Sequence, residues 1–249
     1  MESGTNVDVF KGIRIIYEDN HILVCIKNEG ILSQADDTND SDMVSLLKDY
    51  LKEKYNKPGN VYLGLVHRLD RRVSGLMVFA KTSKAASRLS DSIRNDSIKK
   101  TYYAIASGII TGSGTLRNYL KKENEKAIES SDGKQAILSY EALMTFKMDN
   151  NSYTVLRVNL QTGRFNQIRA QFSLFGHPLI NDFKYGYKSD KCSDEFSHIG
   201  LICVGLSFIH PVTKNEMNFT YDEVINRDSD EWIKYFRSEV KTLWKIKEF

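Results

Sequence analysis

The sequence predicts a body of mixed strands and helices, and three observations point there. Apolar runs of four to six residues, too short for helices, recur between polar turns. Other stretches place apolar residues at helical spacing, and no repeat of about 20–50 residues is visible, which sets solenoids and propellers aside. Composition agrees with a globular chain: 41% apolar and 27% charged residues are ordinary usage, and three prolines leave no Pro-rich linker. A chain of 249 residues then reads as one large domain or one domain with small appendages.

Each element has a local reason. The runs 13–16 and 22–26 flank Glu18-Asp19-Asn20, which predicts a hairpin after a tail of residues 1–12. Met43, Leu46, Leu47, Tyr50 and Leu51 recur at helical spacing and predict an amphipathic helix that stops before Pro58-Gly59. Residues 61–66 and 75–80 read as strands joined by a charged loop, 67–74. Ser83 is the expected N-cap of a helix over 84–94, and a strand begins near Tyr102. Residues 112–133, rich in Gly, Lys, Glu and Ser, read as an exposed excursion before a strand at 136–143. Asn150-Asn151 marks a tight turn into a strand at 153–160. A helix at 165–175 should present Ile168, Phe172 and Phe175 to a core and end at Gly176, with Pro178 beyond. Strands at 199–209 and 217–221 complete a main body over 13–222. Residues 223–249 are expected to form a helical extension, with Trp232, Phe236, Val240, Leu243 and Trp244 near one face docked on that body; an oligomer contact is the alternative.

Charge alone excludes little. Lys and Arg exceed Asp and Glu by 35 to 32, which is compatible with a polyanionic partner without requiring one. The clusters Lys99-Lys100 and Arg68, Arg71, Arg72 could meet phosphates if they share a face. Cys25, Cys192 and Cys203 are odd in number and far apart, so neither a disulfide framework nor a zinc site is indicated, and a reducing cytoplasm is expected. No apolar run approaches the roughly 18 residues of a membrane span, and no leader pattern opens the chain. Gly112-Ser113-Gly114 lacks the length and the following Lys-Ser/Thr of a phosphate-binding loop. His177 and His210, each followed by proline, have no acidic or sulfur ligands at useful spacing and read as turn residues.

The most informative segment is Val66-His67-Arg68-Leu69-Asp70-Arg71-Arg72-Val73-Ser74-Gly75-Leu76. Three arginines lie within two residues of Asp70, and positive charge nearby favours an ionised carboxylate, as a nucleophile requires. An aspartate in such a loop can equally be a structural ion-pair residue, and these residues alone leave both readings open. Two further blocks stand out: Lys100-Thr101-Tyr102-Tyr103-Ala104, and Leu160-Gln161-Thr162-Gly163-Arg164-Phe165-Asn166-Gln167-Ile168-Arg169. The latter is followed by Gly176-His177-Pro178 and by Asp182-x-x-Tyr185-Gly186.

Together these blocks resemble the RluA-type pseudouridine synthases over about residues 15–211. That family's loop reads His-Arg-Leu-Asp, then two variable residues, then Thr-Ser-Gly-Leu, and only Val73 departs from it. The third block is similar to the family's Thr-Gly-Arg-Thr-His-Gln-Ile-Arg stretch, with Phe165-Asn166 in place of Thr-His. Asn181 stands where the family has glycine before Asp182, and Asn28 where it has proline after Lys27.

The resemblance implies an α+β fold: a mixed, largely antiparallel sheet with peripheral helices and a central catalytic cleft. It implies isomerisation of uridine in ribosomal or transfer RNA, with Asp70 as the essential carboxylate. Tyr102, chosen over Tyr103 by its distance from Lys100, would stack on the turned-out base or move a proton. Arg169 would hold Asp70 ionised. Arg68 would help displace the base, and His67, Arg164, Asn166 and Gln167 would contact RNA. No metal, nucleotide or redox cofactor is implied, RNA is the expected partner, and a monomer is expected. The hairpin starts so early that no room is expected for the RNA-binding domain often placed before the catalytic body. A catalytically silent RNA-binding protein of the same fold is the alternative. A glycoside hydrolase would need a second carboxylate opposite the first, which the sequence does not identify.

Overall fold

A computed structural model describes residues 8–38, 40–148, 151–188 and 199–221. The expected C-terminal helix and the turn at Asn150 lie outside the described residues. The chain forms two compact units. The first comprises the described residues through Lys100 together with Gly205–Phe219; the second comprises Thr101–Val204 with the described residues from Thr220.

In the first unit, β1 (Asp8–Phe10), β2 (Ile13–Glu18), β3 (Ile22–Lys27) and β5 (Ser74–Ala80) lie side by side in that order, each pair of neighbours antiparallel. The hairpin read from the sequence is therefore β2–β3. Residues 8–10, expected to be tail, form an added edge strand paired Val9 to Arg14. All six residues of β3 and all seven of β5 are buried, which explains apolar runs that do not alternate. The strand expected over 61–66 is mostly absent. Only β4 (Gly64–Leu65) pairs with β5, while Val61 and Leu63 are buried from an extended segment without a ladder.

Two helices belong to this unit. α1 (Met43–Lys54) is capped by Asp42, whose carboxylate accepts from the Val44 and Ser45 N–H groups at 3.0 and 3.1 Å. α2 (Ser83–Arg94) begins one residue earlier than expected, because Thr82, not Ser83, is the cap and accepts from the Ala85 N–H. β11 (Leu201–Ile209), whose residues from Gly205 belong to this unit, neighbours β5 in strand order, and β12 (Glu216–Thr220) pairs with β11. Between them His210 is a turn residue, as expected: its Nδ1 accepts from the Val212 and Thr213 N–H groups.

In the second unit the strand order is β6 (Lys99–Ser107), β10 (Asn151–Leu160), β9 (Lys134–Met148), β7 (Ser113–Glu123), β8 (Lys126–Glu129). The segment read as an excursion is in fact the β7–β8 hairpin. Its two-residue turn places Asn124 and Glu125 at φ +44° and +60°, the primed-turn geometry that matches strand twist. The misreading has a physical cause: β7 is exposed along most of its length, so few of its positions need be apolar.

The helix expected over 165–175 is α3 (Gln167–Leu174). Its end is as read, with Gly176 at φ +85° and His177 N–H bonded to the Phe172 carbonyl at 2.9 Å, a left-handed cap that favours glycine. Phe172 is buried as expected, but Phe175 is 40% exposed and packs on Tyr140 and His177 instead of entering the core. Across the described residues the sheet is mixed and mostly antiparallel, with few helices, in agreement with the α+β class. No described helix is long and apolar enough to cross a membrane.

Candidate active site

The segment 67–74 connects β4 to β5, and it is fastened at nearly every residue. His67 is buried, and its Nε2 accepts the Val78 N–H at 3.1 Å. That acceptor role fixes the neutral tautomer with the proton on Nδ1, and burial, followed by the charge of Lys100, pushes its pKa well below the usual histidine value. Buried Ser33 grips Leu69 twice, donating to its carbonyl at 2.6 Å and accepting its N–H at 3.1 Å. One residue on, half-buried Asp70 accepts the Arg72 N–H on its own Oδ1 at 3.0 Å, while its carbonyl accepts from Val73. This is an Asx turn, which sets the carboxylate's orientation from the backbone.

Arg71 closes the loop against residues 27–40. Its carbonyl accepts from Gly30 N–H, its Nε donates to the Gly30 carbonyl, and its guanidinium pairs with Asp40 at 2.8 Å. Lys27, at the end of β3, is fully buried and donates from Nζ to the carbonyls of Asn28 and Arg71. Sequence reading named Lys27 only as a motif neighbour; a lysine closing a run as apolar as Ile-Leu-Val-Cys-Ile was the available signal. Gly75, at φ +125°, takes a conformation at the loop's exit that L side chains rarely adopt. Arg68 is exposed.

The other sequence-singled residues sit in the second unit. Tyr102, on β6, is buried, with its hydroxyl hydrogen-bonded to the Cys203 side chain. Burial, reinforced by Cys203, raises its pKa well above the usual phenol value, so its resting form is the neutral phenol. The segment before α3 is organised by Gln167. Its Oε1 accepts from the Thr162 hydroxyl and the Arg164 N–H, both at 2.9 Å, and its Nε2 donates to the Ile137 carbonyl and to Gln171 Oε1. Gln167 was expected to contact RNA. With 3% exposure and every hydrogen-bonding position occupied inside the protein, it instead shapes the loop that carries Arg164. His67, also expected to contact RNA, is buried too: its Nε2 serves β5, while its Nδ1 has no hydrogen-bond partner. Arg164 is exposed and anchored by Nε to the Gln135 carbonyl at 2.8 Å, which leaves its outer guanidinium edge towards solvent.

Arg169 is buried and makes a bidentate pair with Asp182: Nε to Oδ2 and Nη2 to Oδ1, both 2.7 Å. The Tyr185 ring lies 4.8 Å from the guanidinium carbon, so the Asp-x-x-Tyr spacing supplies both a counter-ion and a π face to one arginine. Among the described residues no group of three His, Cys, Asp or Glu could hold a metal.

Comparison with known proteins decides the family. The model described as RNA pseudouridylate synthase matches residues 21–174, more than half of the chain. The protein belongs to the RluA-type RNA pseudouridylate synthases. Ribosomal large subunit pseudouridine synthase D of Pseudomonas aeruginosa is 35% identical over 180 residues, covering 70% of this chain and 53% of that protein. Its counterpart in Vibrio parahaemolyticus is 30% identical over 241 residues, 88% of this chain and 72% of that one. The chain thus spans about half the length of the first of these relatives. Among solved structures, human RNA Pseudouridylate Synthase Domain Containing 1 superposes with a TM-score of 0.66 at 22% identity, covering 88% of this chain and 85% of its own. Human RNA Pseudouridylate Synthase Domain Containing 4 gives 0.64 at 19%, covering 83% and 87%. These two support the synthase fold.

Several departures from the synthase motifs have local explanations. Asn181 and Asn166 occupy left-handed backbone at φ +62° and +47°, which asparagine tolerates better than most side chains, so Asn181 can stand for the family's glycine. Asn28 uses the freedom of a non-proline residue to donate from Nδ2 to the Gly12 carbonyl. Phe165 packs beside Ala170 and Tyr185 with the Lys122 ammonium 4.9 Å from its ring centre.

Proposed function

We propose that the protein is an RNA pseudouridine synthase that isomerises uridine in ribosomal RNA, with Asp70 as the reacting carboxylate. The observation that carries this reading is the Asp70 loop. The loop is fixed at Leu69 by Ser33 and at Arg71 by Gly30 and Lys27, so the one carboxylate between them is held in a set orientation. Pre-set geometry of this kind is what a reaction at a sugar or base carbon demands. The ribosomal target follows from what the relatives are named for; transfer RNA is the second substrate to test.

In this reaction the bond from C1′ to N1 breaks, a bond from C1′ to C5 forms, the C5 proton leaves and N1 gains one. Asp70 attacks the sugar or the base, or takes a sugar proton; each route needs the ionised carboxylate. Arg169, buried and paired with Asp182, is the cation that the family resemblance assigns to the reacting carboxylate. Tyr102 meets the turned-out base through its ring. Its raised pKa favours a neutral hydroxyl as stacking partner and hydrogen-bond donor over a standing base. Arg68 and Arg164 meet RNA from exposed positions, and Asn166, whose Nδ2 is buried without a partner, lies beside Arg164 on the same loop.

The test is tritium release from ribosomal and transfer RNA carrying uridine labelled at C5, because every turnover expels that hydrogen. Asp70→Asn should lower release by at least about 10²–10⁴-fold while RNA binding and thermal unfolding stay close to wild type. Substantial release by this variant would remove Asp70 from the chemistry. RNA binding without release by the wild-type protein would favour the silent RNA-binding reading.

A further inference from the structure

We infer that the open face of the β7–β8 hairpin is a second RNA-contact surface, on which the Tyr119 ring stacks with an unpaired base other than the target uridine while Arg117 and Lys121 flank it. The inference rests on the reading of the protein as an RNA-modifying synthase. Exposure alternates along β7: Thr115, Arg117, Tyr119 and Lys121 are exposed, and the residues between them are not. Those between turn towards α3, where Leu120 packs with Ala170 and Asn118 Oδ1 accepts from Gln171 Nε2 at 2.8 Å. One face of the ribbon is therefore covered, and the other, with an aromatic ring between two cations, meets solvent.

Aromatic residues favour strands whatever they touch, so a tyrosine on β7 is not by itself a sign of a ligand. Its surroundings add that sign. Tyr119 is 52% exposed, and among the described residues neither its ring nor the Arg117 guanidinium has a ring, ion-pair or hydrogen-bond partner. Tyr119 lies opposite Gln135 of β9, whose carbonyl accepts from Arg164 Nε at 2.8 Å. Arg164 thus occupies the place of a next strand, about two strand spacings or ~10 Å from Tyr119, and the surface continues the loop assigned to RNA. Lys121 pairs with Asp132 at 2.5 Å between two exposed side chains, a weak bond that a phosphate can replace. Asp132 and Glu123 offset much of the positive charge here, so stacking must carry the affinity. Every unpaired base offers a π face for it, whereas bases inside a duplex are covered by their neighbours.

Binding to an oligouridylate of about a dozen nucleotides and to an RNA duplex of similar length, each over a range of salt, tests this. Tyr119→Ala should weaken single-strand binding about five- to a hundredfold, and Tyr119→Phe, which keeps the ring, by less than about twofold. Duplex binding should change by less than about twofold in both. The Tyr119→Ala loss should be equal at low and high salt, whereas Arg117→Gln should make the salt slope shallower by about 0.7. With 5-iodouridine in the oligonucleotide, irradiation of the wild-type protein should crosslink Tyr119, read by peptide mass spectrometry without any variant. Single-strand binding by Tyr119→Ala within about twofold of wild type, or a crosslink absent from Tyr119, would overturn the inference. Equal losses for both RNAs would also overturn it, because a phosphate contact without stacking gives that result. A wild-type protein that binds neither RNA would end the RNA reading and this inference together; wild-type binding that Tyr119→Ala leaves intact ends this inference alone.

Discussion

The two loops that carry the synthase motifs are held by opposite strategies. Residues 67–74 are fastened from a distance in sequence: Ser33 grips Leu69 from 36 positions away and Lys27 reaches Arg71 from 44. The segment 161–166, by contrast, is organised by the residue that follows it. Gln167 binds Thr162 and Arg164, and Asn166, the N-cap of α3, makes no side-chain capping bond. Long-range clamps fix a backbone against the body of the fold and suit a reacting carboxylate. A short-range brace fixes only local shape, and its exposed arginine keeps the reach needed for a phosphate.

That contrast can be broken at three strengths. The largest stability effect is expected at Asp182, since Asp182→Ala leaves the buried guanidinium of Arg169 without its bidentate partner. Removing one member of a buried pair costs roughly 3–5 kcal/mol, readable by denaturant unfolding. A loss below about 1 kcal/mol would show that Asp182 does not carry the pair. Next, Ser33→Ala deletes both bonds to Leu69 and strands a buried carbonyl and N–H, at a cost of about 1–3 kcal/mol. If the clamp positions Asp70, kcat should fall in this variant even where the protein remains folded. The smallest change is Asn166→Gly, which relieves the left-handed backbone and loses no capping bond, so stability should move by only a few tenths of a kcal/mol. A drop in RNA affinity without a stability change would then mark the Asn166 side chain as a direct contact.

How far the sequence reveals this molecule depends on where the information resides. Where a residue's neighbours along the chain determine its environment, reading succeeded: the β2–β3 hairpin, α1 and the glycine end of α3 all follow from periodicity and turn chemistry. The β7–β8 hairpin escaped because an exposed ribbon has little apolar alternation to betray it, and 61–63 misled because burial without pairing looks like a strand. In the candidate site, motif spacing pointed to Asp70, Tyr102 and Arg169. It gave no warning that Gln167 spends its polar atoms inside the protein or that the His67 ring is buried. Nor could local pattern reveal Ser33 or Lys27 as clamps, because both act on residues far along the chain.

The division of the chain into units has a consequence for how the protein is made. The first unit needs Gly205–Phe219 as well as the described residues through Lys100, so it is completed only after Thr101–Val204 of the second unit has been made. On a ribosome, β5 emerges more than a hundred residues before β11, its neighbour in strand order. During that interval a strand whose seven residues are all destined for burial lacks a flanking partner. Late closure of distant strands slows folding and exposes a sticky edge meanwhile. Nascent chains stalled before Gly205 should therefore be the species that chaperones hold, and release should coincide with the arrival of the final strands.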